Sequence, residues 1–166
     1  MEGFVSKRSE LIYARLGAQD FSLSSRSASV SYDSPGDKLA TPYFQLRLES
    51  VPSTQDVARE QFDRLPLLVI ASSQTHGRGR SGVDWENADR ALAASLIFEH
   101  DEGDHRPFSL MAGVAAVRST EGTRLKWPND VLTEEGLKAG GILVERDRAT
   151  TVIGLGMNLW WPSPPE

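Results

Sequence analysis

The chain has 166 residues, 39% of them hydrophobic and 25% charged, with 18 lysines and arginines against 23 aspartates and glutamates, a formal charge of −5. That length suits one ordinary domain with a real core, and the acidic balance speaks against nonspecific nucleic-acid binding, which calls for a basic face. Cysteine is absent, so disulfides, thiolate metal sites and a cysteine nucleophile are excluded.

No apolar run in the sequence approaches the length needed to span a bilayer. Met1 to Glu10 is charged and lacks the apolar stretch of a secretory signal. A cytoplasmic protein without a membrane partner is the expectation. Residues 1–40 read as a variable or poorly ordered extension. Ser6 to Ala18 suits one short helix with Leu11, Ile12, Arg15 and Leu16 on neighbouring turns, and Phe21 to Asp37 is serine-rich and ends in Pro35-Gly36, a composition typical of linkers.

From residue 41 onward the pattern is α/β. Phe44 to Glu49 alternates apolar and polar with period two, as a half-buried strand does. Ser53-Thr-Gln-Asp56 has the spacing of a capping box, opening a helix to about Arg64 that buries Val57, Ala58, Phe62 and Leu65. Leu67 to Ala71 is a continuous apolar run, read as a buried strand. A glycine-rich loop leads to a strand over Ala91–Phe98, a charged connection over His100–Arg106, and a helix over Pro107–Arg118 with Phe108, Met111, Ala112 and Ala115 on one face. Strands follow over Thr123–Trp127, Leu137–Arg146 and Thr150–Leu159, and Trp160 to Glu166 reads as an exit loop. Strands in quick succession predict antiparallel pairing. The expected fold class is α/β (α+β), a mixed, largely antiparallel sheet with flanking helices.

Four stretches bear on chemistry. In Gln74-Thr-His-Gly-Arg-Gly-Arg80, followed by Gly82 and Trp85, glycines allow close backbone approach to a ligand, and Arg78 and Arg80 present forks matched to phosphate or carboxylate. A solvated surface turn would carry the same residues. Lys126-Trp-Pro-Asn-Asp130 has a residue before proline held extended and an Asn-Asp pair that folds chains sharply; it also reads as a plain strand end. Lys138-Ala-Gly-Gly-Ile-Leu-Val-Glu145 sets a lysine at a strand mouth beside Gly140 and Gly141, where a solvated edge lysine is equally at home. Gly154-Leu-Gly-Met-Asn158 places small residues and one amide near a strand end. His100-Asp-Glu-Gly-Asp-His105 holds two histidines, more often solvated than metal-binding in a charged connection.

Taken in order, these motifs resemble the catalytic domain of biotin–protein ligases (biotin–acetyl-CoA-carboxylase ligases) from about Leu48 to Leu159, with the incomplete catalytic domain assigned to 41–166. The resemblance implies a fold like class II aminoacyl-tRNA synthetases and biotin–lipoate ligases. It implies formation of biotinyl-5′-AMP from biotin and ATP with Mg²⁺, then transfer to a lysine of the biotin carboxyl carrier protein of acetyl-CoA carboxylase, in a possible homodimer. By the match, Ser53, Thr54, Gln55 and Gln74 hold the ring end of biotin, and Gly77, Gly79 and Gly141 bring backbone close to it. Arg78, Arg80 and Lys138 are the implied catalytic cations, with Lys138 bridging biotin's carboxylate and the α-phosphate. On the nucleotide side, Trp85 stacks on adenine, Asn158 bonds its edge, and Arg80, Lys126, Asn129 and Asp130 complete the set, with no protein-held metal cage.

The chain departs from the family pattern at several points. Gln55 stands where asparagine is usual, and Val83-Asp84 replaces basic residues before Trp85. The path from the helix after Pro107 to Lys126 is short, and the family's closing loop, further helix and strand, and small β-barrel do not follow Asn158. Residues 1–43 are too short and serine-rich for a DNA-binding winged helix, so a DNA-directed role is not expected. The competing readings are a lipoate–protein ligase and a non-catalytic biotin-binding remnant.

Overall fold

The computed structural model describes residues 43–61, 65–86, 88 and 90–160. The expected helix over 6–18, the serine-rich segment, Phe62 and the stretch 161–166 lie outside the described residues.

Seven strands form one sheet: β1 (Phe44–Val51), β2 (Leu67–Gln74), β3 (Arg90–Glu99), β4 (Thr123–Lys126), β5 (Asp130–Thr133), β6 (Lys138–Arg146) and β7 (Thr150–Trp160). Their spatial order is β1-β2-β3-β7-β6-β5-β4. β1 and β2 pair in parallel, because the helix α1 (Thr54–Glu60) carries the chain back across the sheet between them; the other pairings are antiparallel. The fold is the expected mixed, largely antiparallel sheet.

Period-two alternation separates the two faces. Register aligns Leu46, Val69, Ser95, Gly154 and Leu143 across β1, β2, β3, β7 and β6, and aligns Gly156 with Ala93 and Gly141. On this face Leu46, Leu48, Val69, Ala71, Ile97 and Val152 close over Val57 and Ala58 of α1 to make the larger core. The alternate residues of β7 and β6, Met157 and Ile142, meet Val131 and Ala116 of the helix α2 (Phe108–Ser119) in a second core. The helices thus lie on opposite faces. Complete burial of an aliphatic side chain contributes about 1.5–3 kcal/mol, so each core is held by several such terms.

Several expectations are corrected. α1 ends at Glu60, with Gln61 closing it through a backbone bond to Val57 O at 3.1 Å, short of Arg64. Ser53 sits at the helix start in an extended conformation, but its hydroxyl makes no capping bond. Asp56 does not complete a capping box either, because Arg78 takes its carboxylate. In α2 the buried residues are Phe108, Gly113 and Ala116, while Met111 and Ala115 are exposed. Gly113 is the residue that faces Leu125 of β4, rotating the buried face away from the expected one. Trp160 continues β7 rather than leaving it, and Asp130–Thr133 forms a strand where only a turn was expected.

Candidate functional site

The α1 face of the sheet narrows into a cavity of about 370 Å³ between α1, the loop after β2 and the near ends of β6 and β7. Its floor is made of backbone. Gly154 and Gly156 alternate on β7, with Gly141 of β6 paired to Gly156. A Cβ on Gly156 would stand 2.7 Å from Trp85 Cε2, and one on Gly154 would stand 3.0 Å from the Gln55 amide oxygen. Glycine is required there so that the indole and the amide can lie directly on the sheet.

The inner end is buried and neutral. Ser53, Thr54 and Gln55 are almost fully buried, as is Ser95. Gln74 Oε1 accepts from the Thr54 amide at 2.8 Å and from its hydroxyl at 3.0 Å. With that proton spent, the Thr54 oxygen, 2.8 Å from Ser95 Oγ, accepts from Ser95. Gln55 donates through Nε2 to Glu145 at 2.8 Å, leaving its carbonyl oxygen buried with no protein donor. Such an atom is costly unless something binds it. The Trp85 indole N–H is likewise buried and unpartnered.

The mouth is charged. The loop between β2 and β3 folds back as a narrow hairpin: Gly77 O accepts from Trp85 N at 2.8 Å, Arg78 bridges Asp84, and Ser81 and Gly82 turn the tip with φ of 59° and 74°. Arg80 donates to Asn129 Oδ1 at 3.2 Å. Asn129 is stapled to β6, its Nδ2 donating to Ile142 O and its own carbonyl accepting from Ile142 N, both 2.9 Å. Trp127 to Asn129 form the expected turn between β4 and β5, and from it Asn129 also reaches across to β6. Lys138 Nζ lies 3.0 Å from Asp130 Oδ1 and 6.0 Å from the centre of the Trp85 ring. Arg78 binds Asp56 through two bonds of 2.7 Å, which hold the Asp56 carboxyl below its usual range and raise the guanidinium.

Of the sequence-predicted residues, Ser53, Thr54, Gln55, Gln74, Arg78, Gly79, Arg80, Trp85, Asn129, Asp130, Lys138 and Gly141 line this one cavity. Three stand outside its lining. Gly77 is buried behind Trp85 and shapes the loop. Lys126 is exposed at the end of β4, and Asn158 Oδ1 is taken by the Ala88 amide at 3.0 Å, holding the connection into β3. Ser95, Gly154 and Gly156 belong to the cavity lining as well. A lone serine in the apolar run of β3 was the available signal for the first. Among the described residues no group of three histidines, aspartates or glutamates is placed to hold a metal ion, and no helix is long and apolar enough to cross a membrane.

Residues 48–158 match the biotin/lipoate A/B protein ligase family. The bifunctional ligase/repressor BirA of Bacillus spizizenii is 36% identical, over 66% of this chain and 38% of its own length. The biotin–[acetyl-CoA-carboxylase] ligase of Mycobacterium tuberculosis is also 36% identical, over 56% of this chain and 39% of its own. The chain thus spans well under half the length of these relatives. Among solved structures, the Aquifex aeolicus biotin protein ligase in complex with biotin and ATP superposes with a TM-score of 0.64 at 29% identity, covering 74% of this chain and 55% of that one. The Helicobacter pylori biotin acetyl coenzyme A carboxylase synthetase with bound biotinylated ATP gives 0.60 at 29% identity, covering 71% of this chain and 62% of that one.

Proposed function

The chain belongs to the biotin/lipoate A/B protein ligase family, and from that premise we propose that it activates biotin with ATP and passes the biotinyl group to a lysine of a biotin carboxyl carrier protein, that of acetyl-CoA carboxylase. The observation that carries this reading is one cavity of about 370 Å³ with a buried neutral end and a charged mouth, where Arg78, Arg80 and Lys138 stand with Asp84 and Asp130. Its volume lies in the range of about 300–1,000 Å³ common for small-ligand sites.

In the proposed reaction a biotin carboxylate oxygen attacks the α-phosphorus of ATP and pyrophosphate leaves. The carrier's lysine amine then attacks the carbonyl carbon, AMP leaves with the bonding electrons, and the amine gives up a proton. The first step brings two anions together, so positioning and charge neutralisation supply most of the catalysis. Lys138 and Arg80, with side chains lining the mouth, are suited to that work. The unpaired Gln55 oxygen and the Thr54–Gln74–Ser95 chain suit the N–H and C=O groups of a ureido ring. Trp85 lies on the glycine floor with Lys138 Nζ 6.0 Å from its ring centre, and its indole would stack on an adenine. Mg²⁺ would enter with ATP, since Asp130, the carboxylate nearest Lys138, is already paired with it. A cytoplasmic setting suits an ATP-consuming reaction of this kind.

The lipoate reading fits less well. A dithiolane ring offers no strong donor or acceptor to the buried polar end, which would then lose hydrogen bonds on desolvation. Thermal melts with each free vitamin separate the two. A ligand that binds only the folded chain stabilises it by about 2.7 kcal/mol at a hundredfold excess over Kd, so biotin should raise the melting temperature and lipoate should not. A folded chain showing no shift in millimolar biotin would overturn the assignment.

A further inference from the structure

Arg78 and Arg80 stand two residues apart in one loop, yet they meet different surroundings. Arg80 reaches the neutral amide oxygen of Asn129. Arg78 is bound by both carboxylate oxygens of Asp56 at 2.7 Å, and its Nη2 lies 3.9 Å from Glu145 Oε2. Glu145 is in turn held by Arg59 and Gln55, each at 2.8 Å. The charge of Arg78 is therefore already compensated. Serving an incoming phosphate or carboxylate would require giving up a two-bond carboxylate pair, the strongest class of side-chain hydrogen bond.

The pair also joins two unlike supports. Asp56 lies in the first turn of α1, whose Val57 and Ala58 are locked into the core. Arg78 lies at the root of the hairpin loop, opposite Asp84, with Arg80 at its turn. We propose that Asp56 is a positioning residue: by holding Arg78 it fixes the 77–85 loop over the cavity, so that Arg78 anchors the loop and Arg80 meets the reacting phosphate. This assignment rests on the biotin-activation reading for its chemistry, though the anchor itself is a property of the loop.

The test uses the whole chain as wild type and as Asp56→Asn, Asp56→Glu, Arg78→Gln and the Asp56→Asn/Arg78→Gln double variant. Three quantities are read: the rate of tryptic cleavage after Arg80, the biotin KM and kcat in ATP–pyrophosphate exchange, and the melting temperature. If Arg78 anchors, either single neutral substitution should speed cleavage and raise the biotin KM by about fivefold to tenfold, with kcat changed less, and the double variant should be no worse than either one. Asp56→Glu, which keeps the carboxylate, should recover part of the loss. Melting temperatures should stay close to wild type, because the pair is partly exposed and such pairs add little to global stability. If Asp56→Asn behaves as wild type in cleavage and KM while Arg78→Gln is severely impaired, Arg78 contacts the substrate and the proposal is wrong. A fall in melting temperature with no change in KM would also overturn it, leaving a structural ion pair. If wild type shows no biotin-dependent exchange, the functional reading fails, and cleavage rates alone still decide whether Asp56 anchors the loop.

Discussion

At the inner end of the cavity Thr54, Gln74 and Ser95 hold one another by neutral hydrogen bonds between rigid elements, and Thr54 and Ser95 are almost wholly buried. At the mouth the same cavity is lined by a hairpin loop and by Lys138, whose side chain is 56% exposed. The inner end belongs to the core as much as to the site, so its polar groups are set before any ligand arrives. The mouth owes little to the core and is built from charges, Lys138 against Asp130 and Arg78 against Asp56. In the proposed reaction, a buried neutral end would serve recognition, where an unmatched partner leaves costly unsatisfied groups. In the same proposed reaction, a charged mouth would serve the step in which negative charge must be brought together.

Substitutions at the two ends should therefore separate binding and stability from turnover. The largest effect is expected at Lys138. Lys138→Ala should abolish biotinyl-adenylate formation and change stability by no more than about half a kcal/mol, as for an exposed strand residue. Lys138→Arg should recover little, because a planar guanidinium does not replace a compact ammonium beside Gly141 and the Trp85 ring. Adenylate assayed by single turnover, with melts on the same proteins, checks both halves.

Next in size, Arg80→Ala should cost about 2–4 kcal/mol in adenylate formation, by analogy with the loss of an oxyanion donor, and far less in biotin binding. Equal losses in both would move Arg80 to the recognition end. The smallest effect on turnover is expected from Thr54→Val, which keeps the shape and removes the hydroxyl shared by Gln74 and Ser95. Leaving the buried Ser95 hydroxyl without its acceptor should cost about 1–3 kcal/mol of stability, with a parallel loss of biotin affinity seen by calorimetry. If Thr54→Val spared stability and destroyed turnover, the contrast between the two ends would collapse.

The same contrast governs what could be read in the amino-acid order. Alternation and apolar runs marked β1, β2, β3, β6 and β7, because burial imposes those patterns directly. The strand Asp130–Thr133 was missed: four residues opening on an aspartate carry no periodic signal, and their strand state comes from pairing with β4 and β6. The glycine and arginine motifs led to the cavity, since close backbone approach and charge each demand particular residue types. Which arginine is bound by a carboxylate did not show, because Asp56 lies 22 positions before Arg78 and meets it through the fold. Ser95 was hidden in the same way, as one hydroxyl in an apolar run. Lys126 and Asn158, grouped with the nucleotide by their motifs, stand outside the cavity lining, and Asn158 is bound to Ala88.

The most direct measurement is ATP–pyrophosphate exchange by the unaltered chain, with and without biotin. Exchange reports reversible attack of a carboxylate on the α-phosphorus and requires no carrier protein, so it isolates the step assigned to Lys138 and Arg80. Exchange that appears with biotin, and not without it or with lipoate in its place, is the predicted result. A folded chain that binds biotin yet shows no biotin-dependent exchange would contradict the catalytic account and leave a biotin-binding protein.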